Sequence, residues 1–424
     1  MPAEEVTAEA SLGRLTFGTP LTAVPGTPVQ APTPHDTWNL PFGKAWVHLG
    51  ADGQFTRPVL IADGFELGAT DHATLYNGLN DDLPDPQNPD RPRYHFLDEL
   101  RSRGRSVVLI GFDERSASLL ENAQAVREAV LTAGVRNGGP GLTVGGFSMG
   151  GILARYALAK MEADGEPHNT AVYFSYDSPH RGAVIPVGLQ AFAAFIPNLA
   201  GQAPDPNNDF YRYISSPAAR QMLAFHYDHE KDKVGVDPLR QDFLDSLQEV
   251  GWWPSGPRRI AVANGAADGR PTGVKAGEVA VKSTGARPFP GTTFHTQRQG
   301  EDVRVALLRR YKVGGVLEKS ITTSGLPELD GAPGGTLGSY GLVGKTITEA
   351  GGTVELNHPV VCFVPTVSAV AVRDITTQAD LYTEVAALDP EESELDEFLC
   401  GTANTLHTSI VPELCEWLLA RLPN

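Results

Sequence analysis

Residues 142–156 read LTVGGFSMGGILARY, and this stretch decides the predicted fold. It starts with a short apolar run, continues through a glycine-rich turn and ends in a helix-like segment at 152–160. Ser148 stands at the tip of the turn, between Gly146 and Gly150. The pattern Gly-x-Ser-x-Gly is typical of a sharp turn from a strand into a helix, where close backbones leave no room for side chains. Such a turn presents the serine hydroxyl as a nucleophile.

The segments around this turn alternate between apolar runs and helical patterns. Residues 117–133 carry apolar side chains at helical spacing. The predicted strands are apolar over most of their length, as strands buried on both faces should be: 59–62, 106–112, 142–144, 170–176, 258–264 and 359–365. Alternating strands and helices predict an α/β fold with a mostly parallel sheet and right-handed crossovers.

The character of the chain changes several times along its length, which predicts distinct segments. They are N-terminal edge strands and loops at 1–57, an α/β core at 58–187, 258–269 and 356–424, a helical segment at 188–257 and a β-rich insertion at 270–355. The insertion is rich in Gly, Thr and Val. The helical segment is partly apolar.

Composition excludes several classes of function. The 424 residues carry a net charge of −17, which argues against nucleic acid or an anionic membrane surface as a partner. No apolar run reaches the length of a membrane span. The N-terminus lacks the basic start and apolar core of a secretory signal, so we expect a cytoplasmic protein, or a secreted one after processing that the sequence does not reveal. The oligomeric state stays open.

The three cysteines, Cys362, Cys400 and Cys415, are sparse and show no CxxC spacing. This pattern favours buried free thiols over a disulfide framework. Two histidines and two acids occur close together in the stretch HYDHE at 226–230. They are weak evidence for a metal site without a further ligand, and a solvated helix is the favoured interpretation. We expect neither a metal nor a cofactor.

A serine nucleophile needs a base within hydrogen-bond reach. His407 lies in a loop between the last strand-like run and a final helix that begins near Pro412, which is where a base must lie to reach Ser148. His358 is the alternative, but it directly precedes a proline at the start of a strand. His180 is expected to have a structural role, packing beneath the turn.

The base needs an acid to orient it, and the residues alone leave two candidates open. Asp177 directly follows the strand at 170–176, and Asp268 follows the strand at 258–264. Asp374 and Asp396 are weaker candidates. A carboxylate that ends an apolar run is costly unless it has a partner or a task, and the glycines around Asp268 suit a tight loop as well as an ordinary turn.

The negative charge that develops on the substrate oxygen needs backbone donors. One donor is expected from Met149, the residue after the nucleophile. The second should come from the turn after the strand at 59–62, which indicates Phe65.

These residues resemble the α/β-hydrolase superfamily, in its lipase and esterase branch. The resemblance rests on Val59–Phe65, on the turn GFSMGG with the helix after it, and on Ser178–Gly182, which is similar to a Thr-Pro-His-x-Gly segment found after the sixth strand in many lipases. Asp63 stands where the family often has histidine, and Asp177 where it often has threonine. A carboxylate at that position resembles lipases whose acid follows the sixth strand, which ranks Asp177 before Asp268.

The resemblance implies a doubly wound α/β-hydrolase sheet with a helical lid. It also implies a serine hydrolase that cleaves a small-molecule or lipid-like carboxylic ester through an acyl-enzyme on Ser148, with His407 as general base. An acyltransferase or macrocyclising transesterase would use the same acyl-enzyme. A non-catalytic binding module is expected to have a broken triad, whereas Ser148 and His407 are both present. The resemblance does not extend to the insertion at 270–355.

Overall fold

Apolar runs form the centre of a large sheet, as the sequence predicts. The computed structural model describes residues 30–81, 93–139, 141–196, 209–312 and 314–423. The first 29 residues of the predicted edge segment lie outside these ranges. Residues 82–92 and 197–208 also lie outside them.

The strands, in chain order, are β1 (Asp36–Leu40), β2 (Gly43–His48), β3 (Val59–Ala62), β4 (Val107–Phe112), β5 (Leu142–Phe147), β6 (Thr170–Tyr176), β7 (His226–Asp228), β8 (Lys233–Gly235), β9 (Arg258–Ala266), β10 (Val279–Ser283), β11 (Thr293–His295), β12 (Val303–Lys312), β13 (Gly315–Thr323), β14 (Gly334–Leu337), β15 (Val354–Leu356), β16 (Val361–Pro365) and β17 (Glu397–Gly401). The helices are α1 (His72–Leu79), α2 (Phe96–Ser102), α3 (Leu119–Arg136), α4 (Met149–Ala163), α5 (Val187–Phe195), α6 (Asp209–Ser215), α7 (Pro217–Met222), α8 (Pro238–Glu249), α9 (Ser339–Glu349), α10 (Thr366–Ala369), α11 (Gln378–Leu381) and α12 (Pro412–Leu419).

The central sheet has the strand order β1–β2–β4–β3–β5–β6–β9–β17. The pairs β1–β2 and β2–β4 are antiparallel, and all the pairs from β4 to β17 are parallel. The prediction of a mixed α/β fold with a mostly parallel central sheet is therefore confirmed. Because the carboxyl ends of parallel strands reach the same edge, the residues that follow β3, β5, β6, β9 and β17 meet there.

Helices cover both faces of this sheet. On β3, Leu60 belongs to the buried cluster that contains Leu153 of α4. The next residue, Ile61, belongs to the cluster that contains Leu97 of α2 and Leu414 of α12. Successive side chains of a strand point to opposite faces, so burial on both sides requires the continuous apolar run that the sequence shows.

The strand predicted over 359–365 is present as β16, but it does not join the central sheet. It pairs antiparallel with β14 in a separate two-stranded ribbon. The last strand of the central sheet is β17, which lies parallel to β9. The two runs are similarly apolar and short, so only long-range pairing distinguishes them.

Residues between β9 and β16 form a second sheet, antiparallel throughout, with the order β13–β12–β11–β10–β15. This sheet packs against α5, in which every residue is buried. A Cβ placed on Gly188 would lie 3.0 Å from the Cβ of Ala306 and 3.3 Å from the ring of Phe294. The helical segment after β6 and the insertion therefore share one apolar interior. Across the described ranges, no helix is both long enough and apolar enough to cross a membrane.

Candidate active site

Ser148 lies between β5 and α4, and its backbone has φ 53° and ψ −122°, a conformation that residues other than glycine rarely adopt. The N–H of Ser148 donates a hydrogen bond of 2.9 Å to the carbonyl of Tyr176, at the end of β6. The residue is buried, with 9% of its surface exposed. Backbone strain of this kind persists only where the surroundings hold it in place.

Two glycines allow the turn to pack against β3. A Cβ on Gly150 would lie 2.1 Å from the carbonyl oxygen of Ala62, and a Cβ on Gly146 would lie 2.7 Å from the same oxygen. Both distances are far below a van der Waals contact, and both involve backbone atoms. The Gly-x-Ser-x-Gly pattern is thus explained by the close approach of the turn to the end of β3.

His407 lies in the loop between β17 and α12, and its imidazole reaches two other predicted site residues. Its Nε2 lies 2.7 Å from Ser148 Oγ, and its Nδ1 lies 2.7 Å from Asp177 Oδ2. The ring of Phe363 on β16 contacts the imidazole edge to face, with 4.8 Å between the centroids. The three polar side chains thus form a continuous hydrogen-bonded chain.

Asp177 follows β6 and is completely buried. Its Oδ1 accepts a 3.0 Å hydrogen bond from the N–H of Asn264 on β9, so both carboxylate oxygens have partners. β14 lies directly against the carboxylate, because a Cβ on Gly335 would come within 2.0 Å of Asp177 Oδ2. Burial and the nearby charge of Asp177 raise the pKa of the Cys362 thiol well above its usual value.

The other candidates lie apart from this chain of hydrogen bonds. Asp268 is exposed and pairs with Arg270. Asp396 pairs with Arg259 at the opposite end of β9, while His358 pairs with Glu278 in the insertion. The side chain of Asp374 accepts a hydrogen bond from the N–H of its own neighbour, Ile375.

The loop after β3 lies beside the nucleophile. A Cβ on Gly64 would lie 3.6 Å from the Cβ of Ser148. Met149 is the first residue of α4, so its N–H has no acceptor within the helix. Within the described part of the chain, the N–H groups of Phe65 and Met149 donate to no protein acceptor. Both are the backbone groups that the sequence indicates as oxyanion donors.

Asp63 is the first residue of this loop. Its carboxylate accepts 2.7 Å hydrogen bonds from the N–H of Gly64 and from Thr70 Oγ1, and it lies 3.7 Å from the Arg115 guanidinium. Burial raises the pKa of the Asp63 carboxyl above its usual value, and the charge of Arg115 opposes this shift. The carboxylate therefore fixes the first residues of the loop.

His180 is buried beside β6. Its Nε2 lies 2.9 Å from Ser175 Oγ, and its ring packs 4.9 Å from that of Trp253. Burial lowers the pKa of His180 well below its usual value. These contacts agree with a structural role.

The HYDHE stretch is not the helix that the sequence favours. Residues 226–228 form β7, which pairs antiparallel with β8. His226 pairs with Asp237, and Asp228 pairs with Lys231. Throughout the described ranges, no group of three or more histidine, cysteine or acidic side chains is arranged to hold a metal ion. All three cysteines are buried and free, as predicted.

Sequence reasoning missed the residues that support His407. They are Asn264, at the end of the apolar run RRIAVAN, and Thr336, Asn404 and Thr405. For Asn264 a signal existed, because a polar side chain that ends a buried strand needs a hydrogen-bond partner. For the other three residues, the partners lie too far apart in sequence for any local pattern to connect them.

The sequence matches no protein family model, and no curated protein sequence matches it. Among solved structures, the mature Bacillus licheniformis lipase BlEst2 is similar over 52% of this chain and 72% of its own, with 13% identity and a TM-score of 0.29. A Pyrobaculum calidifontis esterase is similar over 54% of this chain and 66% of its own, with 14% identity and a TM-score of 0.29. Est1E from Butyrivibrio proteoclasticus is similar over 52% of this chain and over 72% of the Est1E chain, with 13% identity and a TM-score of 0.28.

Proposed function

We propose that this protein is a serine hydrolase of the α/β-hydrolase type that cleaves carboxylic esters through an acyl-enzyme on Ser148. One observation carries the proposal. Ser148 Oγ, the imidazole of His407 and the carboxylate of Asp177 form a chain of two 2.7 Å hydrogen bonds. The strand–turn–helix setting of Ser148 and the order Ser, Asp, His along the sequence support it, because α/β-hydrolases share both features.

In the proposed mechanism, His407 Nε2 takes the Ser148 hydroxyl proton as Oγ attacks the ester carbonyl carbon. Asp177 keeps the proton on Nδ1, so that Nε2 presents a lone pair to the serine. The carbonyl oxygen becomes an oxyanion, which the N–H groups of Met149 and Phe65 stabilise. The imidazolium then protonates the departing alcohol. In the second half of the reaction, His407 takes a proton from water as the water oxygen attacks the acyl-enzyme carbonyl carbon. The bond to Ser148 Oγ then breaks, Oγ regains its proton from His407, and the carboxylic acid is released.

The helical segment after β6 is proposed to cover the acyl pocket. Tyr213 of α6 packs edge to face on Phe65, with 4.8 Å between the ring centroids. This contact links the segment to the proposed oxyanion loop. The side chains of His407 and Ser148 are each about one-tenth exposed, so a bulky ester can reach them only if the covering elements move. An apolar cover favours an apolar acyl group.

The test is turnover of p-nitrophenyl esters by the wild type and by Ser148→Ala. The variant should lose turnover and labelling by a fluorophosphonate probe, because both need the Oγ nucleophile. Ser246→Ala on α8 is the matched control and should retain both, since Ser246 Oγ donates its hydrogen bond to the Asp242 carbonyl of its own helix. Unchanged turnover in folded Ser148→Ala would refute the proposal. Adding alcohol acceptors in the same assay distinguishes hydrolysis from acyl transfer, since a transferase would form the new ester in preference to the acid.

A further inference from the structure

His407 lies in an irregular segment, residues 402–411, which we call the His407 loop. The loop connects β17 to α12 and contains no helix or strand of its own. A general base must be held within a fraction of an ångström of its working position, because a misplacement of 1 Å lowers a rate by about 100-fold. Some other part of the molecule must therefore supply the rigidity that the loop lacks.

The ribbon formed by β14 and β16 supplies main-chain contacts. The N–H of Thr336 on β14 donates to the carbonyl of Thr405 at 2.9 Å, and the N–H of His407 donates to the carbonyl of Thr336 at 2.8 Å. The Thr336 hydroxyl donates a further 3.1 Å hydrogen bond to the Thr405 carbonyl. The loop is thus paired with β14 as a short parallel strand would be. Both strands of the ribbon are continuous in sequence with the inserted antiparallel sheet.

The side chain of Asn404 connects three segments at this point. Its Oδ1 accepts 2.9 Å hydrogen bonds from the N–H of Ala266, at the end of β9, and from the N–H of Gly334, at the start of β14. Its Nδ2 donates a 2.9 Å hydrogen bond to the carbonyl of Arg270, at the start of the insertion. One amide therefore joins the central sheet, the ribbon and the His407 loop, three residues before the histidine.

Asn264 holds the loop from the side of the acid. Its Nδ2 donates 3.0 Å hydrogen bonds to Thr405 Oγ1 and to the carbonyl of Ser409, on either side of His407. Its own N–H bonds to Asp177 Oδ1. This contact fixes the acid and the loop to the same strand, but it does not involve the insertion.

We infer that Asn404 is a positioning residue for His407, and that through it the insertion and the β14–β16 ribbon complete the proposed active site. The inference rests on the proposed function, since it assigns a task to the base of that mechanism. It gives the insertion a role: Arg270 at its start and β14 within it hold the general base in line with Ser148 and Asp177. The Asn404 amide would touch neither the substrate nor the reacting atoms.

The experiment compares Asn404→Ala with Asn404→Asp and with Asn357→Ala. Asp retains the acceptor for the two N–H groups, whereas Ala removes it. Asn357 is the matched control, because it is exposed directly after β15 and its Nδ2 donates one 3.0 Å hydrogen bond to the Val279 carbonyl. The measurements are kcat and KM for a p-nitrophenyl ester, the melting temperature, and the downfield proton resonance of His407 Nδ1–H, which a short charge-assisted hydrogen bond produces.

For Asn404→Ala we expect kcat to fall roughly 10- to 100-fold with KM nearly unchanged, and the Nδ1 proton resonance to shift or broaden. Asn404→Asp should recover most of kcat, and Asn357→Ala should match the wild type. A lower melting temperature with wild-type kcat and an unchanged resonance would overturn the inference, because a purely structural residue behaves that way. If Asn404→Ala does not fold, Thr336→Val removes only the 3.1 Å hydroxyl bond and should give a smaller fall in kcat alone.

The resonance also separates this inference from the proposed function. If the wild type turns over no ester but shows the resonance, and Asn404→Ala loses it, the proposed function fails and the positioning role stands. If ester turnover depends on Ser148 but the resonance and kcat do not respond to Asn404, the function stands and the positioning role fails.

Discussion

Replacing Asp177 with asparagine tests the acid that the residues alone could not choose. Asp177 Oδ1 accepts from the N–H of Asn264, and Oδ2 lies 2.7 Å from His407 Nδ1. Asparagine has almost the same shape and can keep the bond from Asn264 through its oxygen. Its NH₂ group then faces Nδ1 and favours the tautomer that carries the proton on Nε2. In that tautomer Nε2 has no lone pair for the Ser148 proton.

The size of the effect follows from this change of tautomer. In a serine protease, the same substitution of the buried triad acid lowers kcat about 10⁴-fold while the geometry stays intact. Each tenfold change corresponds to about 1.4 kcal/mol, so the loss is about 5 kcal/mol of transition-state stabilisation. Asp177 is completely buried and both of its oxygens are bonded, so we expect a fall in kcat of about 10³- to 10⁴-fold.

Asp268→Asn is the matched control. Asp268 is exposed and bonded to Arg270, so kcat should change by about twofold at most. The assay is kcat for a p-nitrophenyl ester, with the concentration of folded enzyme checked by circular dichroism and thermal unfolding. A folded Asp177→Asn protein with kcat within tenfold of the wild type would refute the reasoning. An equally large loss in Asp268→Asn would also refute it.

Two further predictions concern the scaffold. Gly150→Ala should destabilise the fold by about 3 kcal/mol or more, because the new Cβ would lie 2.1 Å from the Ala62 carbonyl oxygen and neither backbone segment can move easily. The measurement is the melting temperature, with Gly134→Ala as the control because a Cβ there has no atom within 4 Å. Equal melting temperatures for the two variants would contradict the prediction. Burial lowers the pKa of His48 to about 3, so the imidazole takes up a proton more readily in the unfolded state than in the folded one. The free energy of unfolding should therefore decrease as the pH falls below 6.5, by about 1–2 kcal/mol at pH 5. Denaturant unfolding of the wild type and of His48→Gln at pH 6.5 and pH 5 should show a smaller loss in the variant. The same pH dependence in both proteins would contradict the role given to His48.

The sequence predicted those parts of the structure that local patterns determine. The apolar runs at β3, β4, β5 and β6 read as buried strands because each is apolar on both faces. The turn around Ser148 was predictable because its glycines mark a backbone approach that no other residue allows. His407 could be proposed from its place between the last strand and the final helix. These features all depend on residues that are close together in the chain.

The choice of acid depended on contacts that no local pattern encodes. Asp177 and Asp268 both follow strands of the central sheet. They differ because the N–H of Asn264 donates to Asp177, whereas β9 extends to Ala266 and places Asp268 at the surface. The run at 359–365 was wrongly predicted as a strand of the central sheet for the same reason, since strand pairing and not composition places it in the ribbon. The stretch at 226–230 shows the ambiguity between helix and strand that short segments have.

The distance between His407 and its partners in the sequence explains why the insertion matters to the site. His407 lies 259 residues after Ser148 and 230 after Asp177, and the helical segment and the insertion make up most of that interval. Loop-closure entropy rises only by about 0.6 kcal/mol for each doubling of length, so a long interval is not itself a large penalty. With a long interval, however, no contact between neighbouring residues fixes the direction in which the histidine side chain points. Here the insertion returns to the carboxyl edge of the sheet at two places, at its first residue, Arg270, and at β14. There Asn404 and Thr336 bind them to the His407 loop. Shortening the insertion so that Arg270 and β14 no longer bond to the His407 loop should therefore impair the base more than the nucleophile, whose turn is held by β3 and by the Tyr176 carbonyl of the central sheet.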